Sequence, residues 1–259
     1  MEKVLFVIGA TGGIGKLLVQ ELYKRGFKVV AVGRRENEMK SMKNEGIIED
    51  YIVADIATPE GRENLINHVK KYSEKYGKEN LGVIFNQGIL LEKEFDDERK
   101  IRSSFEVNVI SNGILSYRLK DFAKYLIYTA SVSSFYSGPW DPWYQTTKAA
   151  LWAFISAMLY QKDFENNRIL TVFPDTIKTG EEGMAQKLKD YPKIPGDVFA
   201  SKYSELIAKF VESDKKHAFY LFLIEEDRVK LYELEIDKEF GRPYPQNKKL
   251  IEELGKVVY

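Results

Sequence analysis

Two pairs of residues in this 259-residue chain have the types and spacing to move a proton. They are Tyr144 and Lys148 in Tyr144-Gln145-Thr146-Thr147-Lys148, and Tyr244 and Lys248 in Tyr244-Pro245-Gln246-Asn247-Lys248. A free tyrosine hydroxyl, with a pKa near ~10, is a poor base at neutral pH. A lysine ammonium one helical turn away stabilises the phenolate and lowers that value, making the couple a general acid–base. Residues four apart share a face only if the segment is helical. With 16 Tyr in a Lys-rich chain, roughly two such pairs arise by chance, so spacing alone selects neither.

The elements that must hold the pairs discriminate between them. Apolar, β-branched runs at 4–8, 28–32, 48–54, 81–86, 125–130 and 169–173 alternate with helical periodicities at 14–25, 36–44, 59–76, 99–123 and 143–164. Near-continuous apolar strands between helices predict a parallel sheet covered on both faces, hence a single-domain doubly wound α/β fold over 1–259. Beyond it the pattern predicts a helix at 197–212, a strand at 218–224, and a strand at 228–236 that folds back as a hairpin through Glu225-Glu226-Asp227. A loop at 241–245 and a surface helix at 247–255 complete the expectation. Tyr144 thus opens a helix after the fifth strand, whereas Tyr244 lies in a loop beside a proline.

Composition bounds the function. The 39 basic residues balance 39 acidic ones, which disfavours nucleic acid or an anionic membrane as a general partner. Zero Cys excludes disulfides, thiol catalysis and cysteine-ligated metal, and two His (His68 and His217) make a histidine-rich metal site improbable, so no metal is expected. The N-terminus lacks a cleavable signal pattern and no apolar run reaches membrane length, so a cytoplasmic protein is expected.

Between the first strand and first helix stands Gly9-Ala10-Thr11-Gly12-Gly13-Ile14-Gly15. Glycines permit a tight turn and let backbone amides approach a pyrophosphate where the helix dipole also favours an anion. At the end of the second strand, Gly33-Arg34-Arg35 offers no acid before Glu36. An acid there suits a ribose 2′-hydroxyl, whereas arginine suits a 2′-phosphate. NADP is therefore the expected cofactor and NAD the second choice, with Arg34 the leading contact and Arg35 the next.

The glycine turn at the N-terminus together with Tyr144-Gln145-Thr146-Thr147-Lys148 resembles the short-chain dehydrogenase/reductases, over residues 1 to about 215. Chain length fits the compact branch, although Gly9, Gly12 and Gly15 also satisfy the glycine spacing of the extended, sugar-nucleotide branch. The resemblance implies a Rossmann fold and a serine upstream of the tyrosine at the end of the fifth strand. Ser131 stands in that register, while the same count back from Tyr244 reaches Leu231. It also implies that Asn108, Ser131, Tyr144 and Lys148 are the catalytic set. Tyr144 would give the proton, Ser131 polarise the carbonyl oxygen, Lys148 hold the nicotinamide ribose, and Asn108 support a water relaying protons to Lys148.

The cofactor would further meet Gly9, Thr11, Gly12, Gly13, Ile14 and Gly15 at the turn, and Asp55 and Ile56 at the adenine. Asn86 and Gly88 follow the fourth strand; Pro174, Ile177 and Thr179 follow the sixth, with Thr179 at the carboxamide. Three positions depart from the family pattern: Ile8, Gly82, and Asp175 in place of a turn glycine. From 216 onward the match is poor, so 216–259 reads as a divergent C-terminal extension.

The function implied is hydride transfer between NADP(H) and a small-molecule carbonyl/alcohol pair. A non-catalytic NAD(P)-binding regulatory protein and an extended-type epimerase or dehydratase remain alternatives. Ser137, Trp140, Trp143 and the segment 180–195 are expected to border the substrate pocket. The helix after Tyr144 is apolar nearly all round and therefore buried on more than one side. The resemblance implies that it packs against a symmetry mate in a homodimer or homotetramer.

Overall fold

The computed structural model describes residues 2–91, 95–138, 141–179, 191–236 and 243–258. Its strands are β1 (Val4–Ile8), β2 (Lys28–Gly33), β3 (Asp50–Val53), β4 (Leu81–Phe85), β5 (Tyr125–Thr129), β6 (Arg168–Pro174), β7 (Ile177–Lys178), β8 (Ile194–Pro195), β9 (His217–Glu225), β10 (Arg228–Ile236) and β11 (Pro243–Lys256). The helices are α1 (Gly13–Lys24), α2 (Glu36–Asn44), α3 (Pro59–Tyr76), α4 (Glu98–Phe105), α5 (Ser111–Leu119), α6 (Pro142–Met158) and α7 (Gly196–Glu212).

Every residue of β1, β4 and β5 is buried, because helices cover both faces of these strands. One face packs Phe6, Val30 and Val83 with Leu65 and Val69 of α3, Leu115 of α5 and Ile155 of α6. The other packs Leu5, Val7 and Ile127 with Leu18 and Leu22 of α1 and Phe199, Tyr203 and Ile207 of α7. The sheet order is β11-β10-β9-β6-β5-β4-β1-β2-β3, parallel from β3 to β9. The chain runs outward from β1 in one direction, then returns to β4 and runs in the other. That reversal opens a crevice beyond the carboxyl ends of β1 and β4, where a doubly wound sheet binds its ligand.

Three expectations are corrected. The helix at 99–123 contains a π-helical turn, Glu106–Ile110, between α4 and α5, and it ends at Leu119. The extra residue in that turn carries Asn108, whose buried side chain bonds outside the helix, and single π turns of this kind cluster at functional positions. The helix at 143–164 stops at Met158. The surface helix at 247–255 is part of β11, which pairs antiparallel with β10, and Pro243–Pro245 of the predicted loop begins that strand.

Leu250, Ile251 and Leu254 imitate a helical stripe. The outer edge of β10, however, would otherwise present a row of unpaired backbone groups, and pairing along it wins. The hairpin adds two antiparallel strands, not one, and its register shifts twice between Val229 and Tyr232. Among the described residues no helix is long and apolar enough to cross a membrane.

His217 opens β9, and its Nδ1 is buried with no hydrogen-bond partner among the described residues. Burial, followed by the charge of Lys216, pushes its pKa down to about 4. The folded chain therefore binds one proton fewer than the unfolded chain between pH 6.5 and 4, so stability falls as pH drops through that window. Urea unfolding of the wild type and of His217→Gln at pH 7 and pH 4.5 should show the wild type losing more stability on acidification. Equal losses would contradict a half-buried, neutral His217.

Candidate functional site

The glycine turn fills the gap between β1 and α1 as the residue types require. Gly9 has φ +80°, a left-handed conformation that favours glycine. A Cβ on Gly15 would lie 2.0 Å from the Gly9 carbonyl oxygen, so only glycine lets α1 start this close to the turn. No side chain caps α1 and no acid stands in its first turn, which leaves its first amides and its dipole to an anion.

Around the turn lies a cleft of about 900 Å³. It is lined by Gly9, Thr11, Gly12, Gly13, Ile14 and Gly15, by Arg34 and Arg35 after β2, and by Asp55 and Ile56 after β3. Asn86 and Gly88 after β4, Ser131 after β5, Tyr144 and Lys148 on α6, Pro174 at the end of β6, and Ile177 and Thr179 beyond it complete the lining from the candidate set. Residues scattered over most of the chain thus converge, because each follows the carboxyl end of a parallel strand or opens the helix after it. Asn108 lies behind this surface, fully buried.

At the α6 end, Lys148 is 3% exposed and its Nζ donates to the Thr129 carbonyl at 3.0 Å. The ammonium also lies 5.5 Å from the Tyr144 ring centroid. Ser131 faces the Tyr144 hydroxyl and pulls its pKa down. Its Oγ also accepts the Ser133 amide at 3.1 Å, which fixes the serine at the start of a 3₁₀ turn. Asn108 holds the segment after β4 from behind: its Oδ1 accepts the Ile89 amide at 2.8 Å, and its Nδ2 donates to the Ile89 carbonyl at 2.9 Å and to Thr147 Oγ1 at 3.0 Å. A Cβ on Gly88 would lie 3.7 Å from both Asn108 Oδ1 and Lys148 Nζ.

The electrostatics differ from expectation in one respect. Burial pushes the Tyr144 hydroxyl up to about 12; the Ser131 hydrogen bond pulls it down and the Asp141 charge pushes it further up. Burial likewise brings Lys148 down to about 8. Removal from water is the largest cause of the shift for both groups. At neutral pH Tyr144 keeps its proton and Lys148 is predominantly charged.

At the opposite end, Arg35 Nε donates to Thr11 Oγ1 at 3.2 Å and its guanidinium lies 3.3 Å from Glu38. Arg34 is largely exposed, 3.7 Å from the Asp55 carboxylate. Asp55 also starts the turn into α3, accepting the Ala57 amide at 3.1 Å.

The substrate-side expectations fare less well. Ser137 and Trp143 do not line the cleft; the Trp143 indole donates to the Phe95 carbonyl at 2.6 Å and packs edge-on against Phe105. Of 180–195, residues 191–195 lie away from the cleft, and 180–190 fall outside the described residues, as does Trp140. The cleft wall next to Tyr144 is instead Ile89, Leu90, Leu91, Phe95, Val107 and Val132. Ile89, Leu90, Leu91 and Phe95 come from a non-periodic stretch after β4 that gives no sequence signal. Asp141, also in the cleft, did carry one: an acid followed by Pro142 is the start signature of a helix.

The second pair separates cleanly. Lys248 lies on β11, where its Nζ meets Glu225 at 2.8 Å. Residues four apart on a strand are about 13 Å apart, too far for a proton couple.

Fold and cleft define a dinucleotide-fold protein with a tyrosine–lysine–serine constellation at one end of its crevice. Residues 3–190 match the sequence profile described as short chain dehydrogenase. An uncharacterized oxidoreductase of Staphylococcus epidermidis is 25% identical over 186 residues, 69% of this chain and 79% of its own. Among solved structures, an alcohol dehydrogenase of the archaeon Thermococcus sibiricus complexed with 5-hydroxy-NADP superposes with a TM-score of 0.69 at 21% identity, over 85% of this chain and 96% of its own. A 4-hydroxyisoleucine dehydrogenase complexed with NADH gives a TM-score of 0.70 at 20% identity over the same shares, 85% and 96%. The chain belongs to the short-chain dehydrogenase/reductase family, whose members are NAD(P)-dependent oxidoreductases.

Asn108 bridges three elements, so its loss has a measurable structural cost. Asn108→Ala leaves the part-buried Ile89 amide and carbonyl without their side-chain partner and should destabilise the fold by roughly 1 kcal/mol. Urea unfolding reads this as a lower midpoint with an unchanged slope. An unchanged midpoint would contradict the bridging role.

Proposed function

We propose that this chain transfers hydride between NADP(H) and a small-molecule carbonyl/alcohol pair, with NADP preferred over NAD. The observation that carries the reading is the convergence of Ser131, Tyr144 and Lys148 in the same cleft as an uncapped glycine turn and two arginines. A cleft of about 900 Å³ has room for a dinucleotide, and the donor set suits one at each point. Gly9 to Gly15 would receive the pyrophosphate, Asp55 and Ile56 the adenine, and Arg34 and Arg35 a 2′-phosphate. Asn86, Gly88, Lys148, Pro174, Ile177 and Thr179 would hold the nicotinamide half. A bound nicotinamide supplies or accepts the hydride; the chain supplies orientation and the proton.

In carbonyl reduction Tyr144 gives its proton to the substrate oxygen, to which Ser131 donates a hydrogen bond. A hydroxyl that stays protonated at neutral pH suits that role. Lys148 carries the positive charge beside the phenolate that results, and Asn108 fixes the Ile89 backbone that edges the same space. The segment from Ile89 to Leu91 and Val132 give the substrate an apolar wall.

The two solved neighbours hold an NADP derivative and NADH, so the preference rests on Arg34 and Arg35. Exposed Ile110, Ile114 and Tyr117 support a homodimer or homotetramer.

Nicotinamide fluorescence titrations test the reading. NADPH should bind more tightly than NADH, and Arg34→Ala should weaken NADPH by roughly 10- to 100-fold while leaving NADH nearly unchanged. Binding of neither dinucleotide would sink the proposed activity; a preference for NADH would remove the role given to Arg34.

A further inference from the structure

The segment that follows β4 runs alongside the half of α6 that carries Tyr144, and its contacts fix it there. A Cβ on Gly88 would lie 3.7 Å from Lys148 Nζ, so the segment starts beside that lysine. Asn108 then holds both backbone groups of Ile89 and also Thr147, one residue before Lys148. Further on, the Leu91 amide donates to Asp141 Oδ2 at 2.6 Å, and the Phe95 carbonyl accepts the Trp143 indole at 2.6 Å. The segment thus passes from the Lys148 turn back to the start of α6, with Tyr144 between its anchors. Ile89, Leu90, Leu91 and Phe95 all line the cleft, joined by Val107 of the π turn and Val132 beside Ser131.

The polar side chains around this wall are mostly engaged. Asp141 accepts amides with both oxygens, from Trp143 at 2.9 Å and from Leu91. Asp175 does the same for Thr176 at 2.7 Å and Ile224 at 3.3 Å. Lys148 donates a hydrogen bond to the Thr129 carbonyl, the Thr176 hydroxyl is held by Asp175 at 3.5 Å, and Ser103 is exposed to water. The Ser131 and Tyr144 hydroxyls are left for one substrate oxygen. Ser133 brings a further hydroxyl to the lining, too few for a polyol.

We propose that the substrate is a ketone or aldehyde with a hydrocarbon chain beside its carbonyl, and that Leu90 and Val132 are specificity-determining contacts. Both are half-buried and keep surface to offer, whereas Leu91 is 6% exposed. The inference rests on the reading of Tyr144 as the proton donor and narrows that reading to a substrate class. The carbonyl carbon takes hydride from NADPH and the oxygen takes the Tyr144 proton, which solvent replaces; the products are an apolar alcohol and NADP⁺. A hydrocarbon flank gains by leaving water for this wall. Each hydroxyl of a sugar-like substrate would leave water for hydrocarbon without a partner.

The test uses the full chain loaded with NADPH, and loading is read first from nicotinamide fluorescence. Absence of binding at that step would overturn the proposed activity, and this inference with it; every later failure strikes the substrate class alone. In the loaded protein 2-heptanone is compared with erythrulose, a ketone of equal heavy-atom count that carries three hydroxyls. The kcat/KM for 2-heptanone should be higher by roughly 100-fold or more. Leu90→Asn and Val132→Thr, both close to isosteric, should each narrow that ratio by roughly tenfold, whereas a purely structural lesion would lower both substrates alike. A second readout needs no turnover. In protein ¹³C-labelled at its Leu and Val methyls and held with NADP⁺, 2-heptanone should shift the Leu90 and Val132 signals, assigned from their absence in the two variants. Erythrulose should shift neither. Erythrulose reduced as efficiently as 2-heptanone, or no reduction of 2-heptanone by the loaded protein, would overturn the proposal. So would an unchanged ratio in both variants, or methyl signals that 2-heptanone leaves in place.

Discussion

Burying a lysine ammonium costs free energy unless its hydrogens and charge are met, and Lys148 is almost fully buried. The surrounding structure is arranged to meet them. Its ammonium is received by the Thr129 carbonyl at the end of β5 and lies against the Tyr144 ring. Thr129 is itself fixed: its hydroxyl donates to Asn86 Oδ1 at 3.1 Å and is paired with the Tyr203 hydroxyl at 3.1 Å from α7. One charge thereby specifies the mutual placement of β4, β5, α6 and α7, and the partial fall in its own pKa records what that placement leaves unmet.

The same arrangement explains why the two ends of the cleft are built differently. At the glycine turn, the proposed reading has an anion met by bare backbone and a helix end, with exposed arginines at the rim. At the α6 end, groups are buried and each is held by a second residue: Ser131 by the Ser133 amide, Lys148 by Thr129, and the α6 start by Asp141. Binding tolerates motion, whereas proton transfer requires donor and acceptor at fixed separation.

Most of this frame was legible in the sequence because it follows from local rules. Buried parallel strands read as unbroken apolar runs and the glycine turn is a steric requirement, while the register of Ser131 with Tyr144 and Lys148 came from the family resemblance. What was not legible depends on contacts distant in sequence. The 247–255 segment has a helical stripe, yet it is a strand because β10 offers an edge. The π turn at Asn108 carries a side chain that bonds a partner 39 positions away, Thr147. Trp143 looked like a pocket wall by position, but its indole is drawn away by the Phe95 carbonyl. The sign of the Tyr144 shift could not be read either, since it depends on how much water the fold removes rather than on the spacing to Lys148.

The account stands on one cleft binding one dinucleotide with its reactive end at Tyr144. A crystal structure of the chain with NADPH tests this most directly. The account predicts the pyrophosphate over Gly12 and Gly13, the 2′-phosphate beside Arg34, and the nicotinamide facing the Tyr144 and Ser131 hydroxyls. A dinucleotide bound outside this cleft, or one whose nicotinamide lies away from Tyr144, would contradict it.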